Sequence, residues 1–191
     1  YKEVIQKGCK QIEYSNSGAY IAASSGINLL VFDAVTFKKL MTFQGHMMPI
    51  KRISWSRGDQ IIFSAGVDGS VIGWPIAKQG RIDVVPSNPR ASAIVGLEVD
   101  AENLVFLPPP AESEDGAQTV RQEEDKQVIL ATLDGNMRMH NFLTESAWDA
   151  KTTNIWGEEE SCITAMKLSR SRRHLYIGTR SGHVRVYAWP P

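Results

Sequence analysis

The chain has 191 residues, enough for one domain with a real core, and 42% hydrophobic with 22% charged residues is an ordinary globular composition. Lys plus Arg (21) cancel Asp plus Glu (21), so no overall field draws in nucleic acid or an anionic membrane. No apolar run approaches the ~18 residues of a membrane helix, and no charged-then-apolar leader suggests secretion. Tyr1 in place of Met and the closing Pro190-Pro191 read as a piece of a longer polypeptide.

In chain order, residues 3–6 read as a lone strand. Gln11-Ile12-Glu13-Tyr14-Ser15 follows, then the turn Asn16-Ser17-Gly18, the apolar run Tyr20-Ile21-Ala22-Ala23 and a third strand at 29–32. The series repeats as Arg52-Ile53-Ser54-Trp55-Ser56, Arg57-Gly58-Asp59, Ile61-Ile62-Phe63-Ser64 and 71–74. A third unit has strands at 94–99 and 127–131. Between them, Leu107-Pro108-Pro109-Pro110 opens a stretch through Lys126 with Glu112, Glu114, Asp115, Glu123, Glu124 and Asp125. That composition predicts a solvated, mobile insertion at 108–126, for which an acidic docking arm and a loop of no consequence are the two readings. The last unit runs Lys167-Leu168-Ser169, Arg170-Ser171-Arg172-Arg173, Leu175-Tyr176-Ile177-Gly178 and 184–187.

Unbroken apolar runs between turn signals suit strands covered on both faces, and no window holds a helical period. The repeat of about 40–45 residues is that of four-stranded WD repeats. The prediction is therefore all-β, a WD40-type β-propeller fragment of about four blades of antiparallel four-stranded sheets. Its blades lie at 8–43, 44–86, 93–154 and 160–191, with residues 1–7 as the outer strand of a preceding blade. That strand could complete the trailing blade and close a four-bladed ring; truncation within a larger ring is the favoured reading.

The second unit carries a polar set: Gly45-His46 at its entry, Ser64 on its second strand, Asp68 in the turn Gly66-Val67-Asp68-Gly69, and Trp74 on its third strand. A Ser-His-Asp triad is one reading. The placement favours a buried structural tetrad, in which the carboxylate accepts from the imidazole and turn amides and the indole N–H finds an acceptor. A nucleophilic serine needs exposure and an oxyanion site, so no catalytic residue is assigned. The other units keep less of the set: Phe32-Asp33 with no acid at the Gly26 turn, Asp134-Gly135 with His140, and Ser181-Gly182 with Tyr187. They must rely on packing.

Cys9 and Cys162 lack metal-ligand or Cys-x-x-Cys spacing and read as two small buried thiols, weakly implying a reducing compartment. His140, His174 and His183 fall on different strands, so no metal and no cofactor is expected. Arg170, Arg172 and Arg173 with His174 form a basic turn, with smaller clusters at Lys38-Lys39 and Lys51-Arg52. These are solvated turns or a face for an acidic partner such as a tubulin tail. Nucleic acid is disfavoured by zero net charge and by the lack of interleaved aromatics. Met47-Met48-Pro49 offers an adaptable apolar contact or fills space under its loop. No phosphate loop, supported carboxylate pair or metalloprotease motif appears, which favours a binding module.

The phrases Lys7-Gly8-Cys9, Gly45-His46 before Ile50-Lys51-Arg52-Ile53-Ser54-Trp55, Ser64 to Gly69 with Trp74, Ile163-Thr164-Ala165-Met166 and Tyr176-Ile177-Gly178-Thr179 resemble, in order, the WD-repeat cilia- and flagella-associated protein 57 family. The resemblance covers nearly all of the chain except 108–126. It implies a segment of the second of two propellers that precede a long coiled coil. The whole would be a non-catalytic scaffold of the motile ciliary axoneme that attaches or positions inner dynein arms. Partners would be inner dynein arm components, other WD-repeat ciliary proteins and tubulin, with no nucleic acid and no membrane. A soluble WD-repeat adaptor of ubiquitin ligation or ribosome assembly is the alternative; a hydrolase built on Ser64 and His46 is a third.

Overall fold

The computed structural model describes residues 8–78, 80–88, 90, 92–100, 127–133, 135–141, 151–154 and 162–189. The predicted strand at 3–6 and the acidic insertion 108–126 lie outside them. The described residues form strands and no helix. β1 (Ile12–Tyr14), β2 (Tyr20–Ser25), β3 (Asn28–Asp33) and β4 (Lys39–Gln44) make the first antiparallel sheet, in that order. β5 (Ile50–Trp55), β6 (Ile61–Gly66), β7 (Val71–Pro75) and β8 (Ile82–Val85) make the second. β9 (Ile94–Asp100), β10 (Gln127–Thr132), β11 (Asn136–Asn141) and β12 (Lys151–Asn154) make the third. β13 (Ile163–Leu168), β14 (His174–Thr179) and β15 (Val184–Ala188) make a last sheet that has three strands among the described residues.

The first, second and last sheets are meanders because short turns join runs with strand propensity. The sheets then stack face to face. Ala22, Leu29 and Val31 pack with Ile53, Ile62, Ile72 and Trp74 between the first and second sheets. Ile61, Phe63 and Val71 pack with Leu97, Val99, Val128 and Leu130 between the second and third. Ile129 and Met137 meet Met166, Leu175 and Ile177 between the third and fourth. The second sheet is thus covered on both sides, and every residue of β6 is buried. That explains its unbroken apolar run. Fully burying a side chain such as Phe63 stabilises the stack by roughly 1.5–3 kcal/mol. The architecture is a β-propeller arrangement, with β1, β5, β9 and β13 innermost.

Side chains tie these inner strands together. The Gln11 carboxamide accepts from the Ile53 N–H (3.0 Å) and donates to the Ile53 carbonyl (3.3 Å), standing in for a strand partner on the edge of β5. Arg52 Nε donates to the Val95 carbonyl at 2.7 Å, doing the same for β9. At Gly96 a Cβ would stand 2.5 Å from Met166 Cβ, so the approach of β9 to β13 requires glycine. Lys167 Nζ lies 3.0 Å from Glu13 Oε1 and 3.1 Å from Glu98 Oε1, joining the fourth, first and third sheets at the axis.

The cysteine expectation needs correcting. Both thiols are free, but Cys9 is exposed and Cys162 half-buried, because each precedes its strand instead of lying in the stacked part of the sheet.

Candidate functional site

The polar set of the second sheet comes together around Ser64. His46, Ser64, Asp68 and Trp74 are all buried, at 4%, 0%, 7% and 3% exposure. Trp74 sits on β7 opposite Ile62, two residues along β6 from Ser64, and its indole N–H donates to Ser64 Oγ at 2.7 Å. Ser64 Oγ lies 2.7 Å from His46 Nε2, and His46 Nδ1 lies 3.0 Å from Ser70 Oγ. Ser70 Oγ donates to Asp68 Oδ1 at 2.8 Å, and Ser87 donates to the other carboxylate oxygen in a short bond. An indole can only donate and a carboxylate only accept, so the chain has one direction. Ser64 donates to Nε2, the neutral imidazole donates from Nδ1 to Ser70, and Ser70 donates to Asp68.

One expectation fails here. The imidazole does not reach the carboxylate directly; Ser70 stands between them, because Asp68 lies two residues back in the tight turn. Ser70 and Ser87 were missed in the sequence. The first carried a signal in its position immediately after Gly69, whereas Ser87 follows the outer strand and nothing local marks it. Gly66 is required by the same crowding: a Cβ there would collide with Asp68 Oδ1 and stand 2.8 Å from Ser70 Oγ and 3.1 Å from His46 Nδ1.

Burial pushes the His46 pKa below the usual imidazole value, with the Asp68 charge opposing, so the ring is neutral in this site. Burial acts to raise Asp68, but hydrogen bonds from Ser87 and Ser70 outweigh it and hold the carboxyl below its ordinary value. Ser64, fully buried and bonded on both sides, has no surface from which to attack a substrate. The arrangement can lock the entry loop, the β6–β7 turn and β8's exit to one another. Among the described residues it offers no opening for acyl transfer.

Strand register shows what replaces the chain elsewhere. Phe32 lies opposite Ile21, His140 opposite Val128 and Tyr187 opposite Leu175, each matching Trp74 opposite Ile62. Two residues on, where Ser64 stands, these sheets carry Ala23, Leu130 and Ile177, all buried apolar side chains. The central hydroxyl acceptor is gone from each, so no such relay can form there.

The remaining candidates are surface residues. Met47 is 83% exposed and fills no space under its loop, and Met48 is 45% exposed. Arg170 and Arg173 are exposed and Arg172 half-buried, in the turn between β13 and β14. His183 meets Ser181 Oγ at 3.0 Å, and among the described residues no three His, Cys, Asp or Glu side chains gather as metal ligands.

Sequence reading also missed the axis. An open cavity of about 540 Å³ is lined from the inner strands and their first turns by Glu13, Tyr14, Trp55, Arg57, Glu98, Lys167, Arg170 and Arg172, among others. Burial raises the Glu98 pKa to about 7 against the opposing Lys167 charge. Burial acts to lower Lys167, but Glu98 and Glu13 overcome it and raise its pKa.

Residues 37–74, from the turn before β4 through Trp74 on β7, match the WD domain, G-beta repeat family. The sequence repeat therefore straddles the outer strand of one sheet and the first three strands of the next. The chain is 24% identical to cilia- and flagella-associated protein 57 of Mus musculus across all of its length and 13% of that protein's. It is 39% identical to cilia- and flagella-associated protein 57 C of Tetrahymena thermophila over 45% of the chain and 7% of that relative. The chain thus spans a small part of the curated relatives it matches. The β-propeller domain of Myceliophteria thermophila Cps50 (Swd1) superposes with a TM-score of 0.69 at 17% identity, covering 97% of this chain and 53% of that one. The computationally designed Ika4 protein superposes with a TM-score of 0.61 at 18% identity, covering 98% of each chain. The fold is that of a β-propeller, and the relatives support a WD-repeat protein similar to cilia- and flagella-associated protein 57.

Proposed function

We propose that this chain is part of a non-catalytic interaction scaffold of motile cilia or flagella, one that helps attach or position inner dynein arms on the axoneme. The mouse relative, named a cilia- and flagella-associated protein, matches it over its whole length, and the Tetrahymena relatives of the same name match a little under half of it. The single structural observation that carries the non-catalytic reading is the fate of Ser64 and His46. The two groups best equipped for chemistry are spent on each other and on Trp74 and Ser70, inside the stack. What remains at the surface is a set of turns held by rigid sheets, which is how propellers present contacts.

The test uses the full-length protein, fluorescently tagged at its endogenous locus in a ciliated cell, with tomography of axonemes from tagged and deleted strains. The expected result is label along the axoneme and loss of density at inner-arm sites on deletion. Label confined to the cell body would overturn the ciliary reading in favour of a soluble adaptor. Covalent capture of Ser64 by a fluorophosphonate probe would overturn the non-catalytic one.

A further inference from the structure

β4 is the outermost strand of the first sheet, and among the described residues no strand pairs with its outer side. Residues 40–44 all line an open groove of about 730 Å³, walled on its far side by Trp74, Ile76 and Arg81 of the second sheet. Successive side chains of a strand point to opposite faces. A groove that touches consecutive residues therefore runs along the edge of the strand, where its backbone donors and acceptors point. Met41 and Phe43, opposite Val31 and Leu29, turn toward the second sheet, and Phe43 stacks on Trp74 with ring centroids 5.4 Å apart, giving the groove an apolar floor. Sheet edges are commonly blunted by charge, bulges or proline. Here the blunting is confined to the start of the strand. Leu40 is the extra residue of a bulge between the pairs Val31 with Met41 and Phe32 with Lys39, and Lys38 and Lys39 precede it. From Met41 to Gln44 the strand is regular, paired residue by residue with β3, and carries no charge.

We infer that the outer edge of β4 is a docking site for an extended segment of a partner protein, added to the first sheet as a further strand, with apolar residues at alternate positions and acidic residues at the end near Lys38 and Lys39. Main-chain bonds supply the affinity, and the groove beside Phe43, Trp74 and Ile76 takes the alternate side chains. An amphipathic helix could use the apolar floor but would leave the β4 edge unmatched, because its own backbone groups bond within it. The acidic end follows from charge. Lys38 and Lys39 are exposed and form no ion pair among the described residues. Asp33, in the same turn, accepts from the Thr36 and Val35 N–H groups at 2.6 and 3.1 Å and from the Thr36 hydroxyl at 2.8 Å, and Asp83 is paired with Arg81 at 3.1 Å. That turn also holds apolar surface under strain. Phe37 is the only aromatic residue with a left-handed backbone among the described residues, at φ 56°, and it is 43% exposed; Val35 beside it is 83% exposed. A bulky side chain kept in that conformation and in water serves contact better than it serves stability.

The inference deepens the scaffold reading and rests on it, by naming the form and chemistry of one partner. The probe is the fluorescein-labelled peptide Glu-Glu-Val-Thr-Val-Thr-Val-Glu-Glu, titrated against the chain by anisotropy at low and at physiological salt. Saturable binding is expected, with amide exchange along β4 slowing by about tenfold at saturation while β15, the outermost described strand of the last sheet, is unaffected. Methylating the amide nitrogens of the Val residues, or those of the Thr residues, removes the donors of one peptide edge or the other. One of these two peptides should bind at least about tenfold more weakly. Lys38→Glu/Lys39→Glu, at two exposed positions, should weaken binding by about tenfold at low salt and less at physiological salt. Lys51→Glu, on the inner strand β5, should change it by less than about twofold. Absence of saturation overturns the proposal, as does protection of β15 in place of β4. Equal binding of both methylated peptides and the parent peptide also overturns it, since it marks a groove that takes side chains alone. Unchanged affinity in the Lys38/Lys39 variant removes the acidic end and with it the proposed partner. A dimer of the chain without peptide, protected at β4, marks edge-to-edge pairing of two copies and overturns it too. Each of these failures leaves the axonemal label untouched, so the two readings fall separately.

Discussion

His46→Ala tests the relay at its middle. The ring is 4% exposed and holds Ser64 at 2.7 Å and Ser70 at 3.0 Å. Removing it breaks two hydrogen bonds, leaves the Ser64 O–H without an acceptor, and opens a hole beside Trp74, whose ring centroid lies 6.2 Å away. Two bonds at about 1 kcal/mol each, with a further ~1 kcal/mol for lost packing, give a destabilisation of about 2–4 kcal/mol. For a chain of this size that is a fall of roughly 5–12 °C in Tm. The assay is thermal unfolding by calorimetry at pH 7.5, with Lys38→Ala as the surface control. The pH dependence gives a second reading. The folded imidazole binds its proton less readily than the unfolded one, so the unfolded state takes up protons first as pH falls below about 6.5. The stability held above that pH drains away until the folded pKa is passed, and His46→Ala should abolish this part of the profile. A Tm within about 2 °C of the parent would refute the reasoning, because a solvated or loosely held ring costs that little.

The other predictions concern neighbouring features. Gly66→Ala should destabilise by at least about 2 kcal/mol, since the new methyl group strikes the Asp68 carboxylate and crowds Ser70; urea unfolding measures it, and a neutral result would mean that the turn is loose. Glu98 has its folded pKa raised to about 7, so its contribution is greatest below the ordinary Glu value near 4.5 and is lost as pH rises through about 7. Glu98→Gln should remove that decline, in the opposite direction to His46, and calorimetry from pH 4 to 8 separates them. Gln11→Ala should cost about 1–2 kcal/mol by orphaning both backbone groups of Ile53, and hydrogen exchange at the Ile53 amide should accelerate. Full protection there would show that another group caps β5.

Much of the fold was legible because each unit repeats the same local grammar: an apolar run, a Gly- or Ser-bearing turn, a second run. The four inner strands were visible for that reason, as was the convergence of His46, Ser64 and Trp74. What local pattern could not reveal was the third dimension. Ser70's place between imidazole and carboxylate depends on the turn's curl. The Lys167–Glu13–Glu98 cluster joins residues from three sheets that share no sequence window. Cys9 looked like a small core residue by type, but the register starts β1 at Ile12 and leaves the thiol outside. The loss of the relay from the other sheets was readable at Phe32 and Tyr187. Ala23 already stood at the Ser64 position in the repeated runs, whereas Leu130 and Ile177 emerged only from the pairing of strands.

The bridging carboxamide of Gln11 has a mechanical consequence. Within a sheet, backbone ladders resist any change of geometry, but between the first and second sheets this pair of bonds sits at the end of a side chain with rotatable torsions. Ile53 is therefore held through a joint with torsional freedom, where a ladder would hold it through fixed backbone. Cutting that one side chain would free the inner edge of β5 without breaking a rung of either ladder.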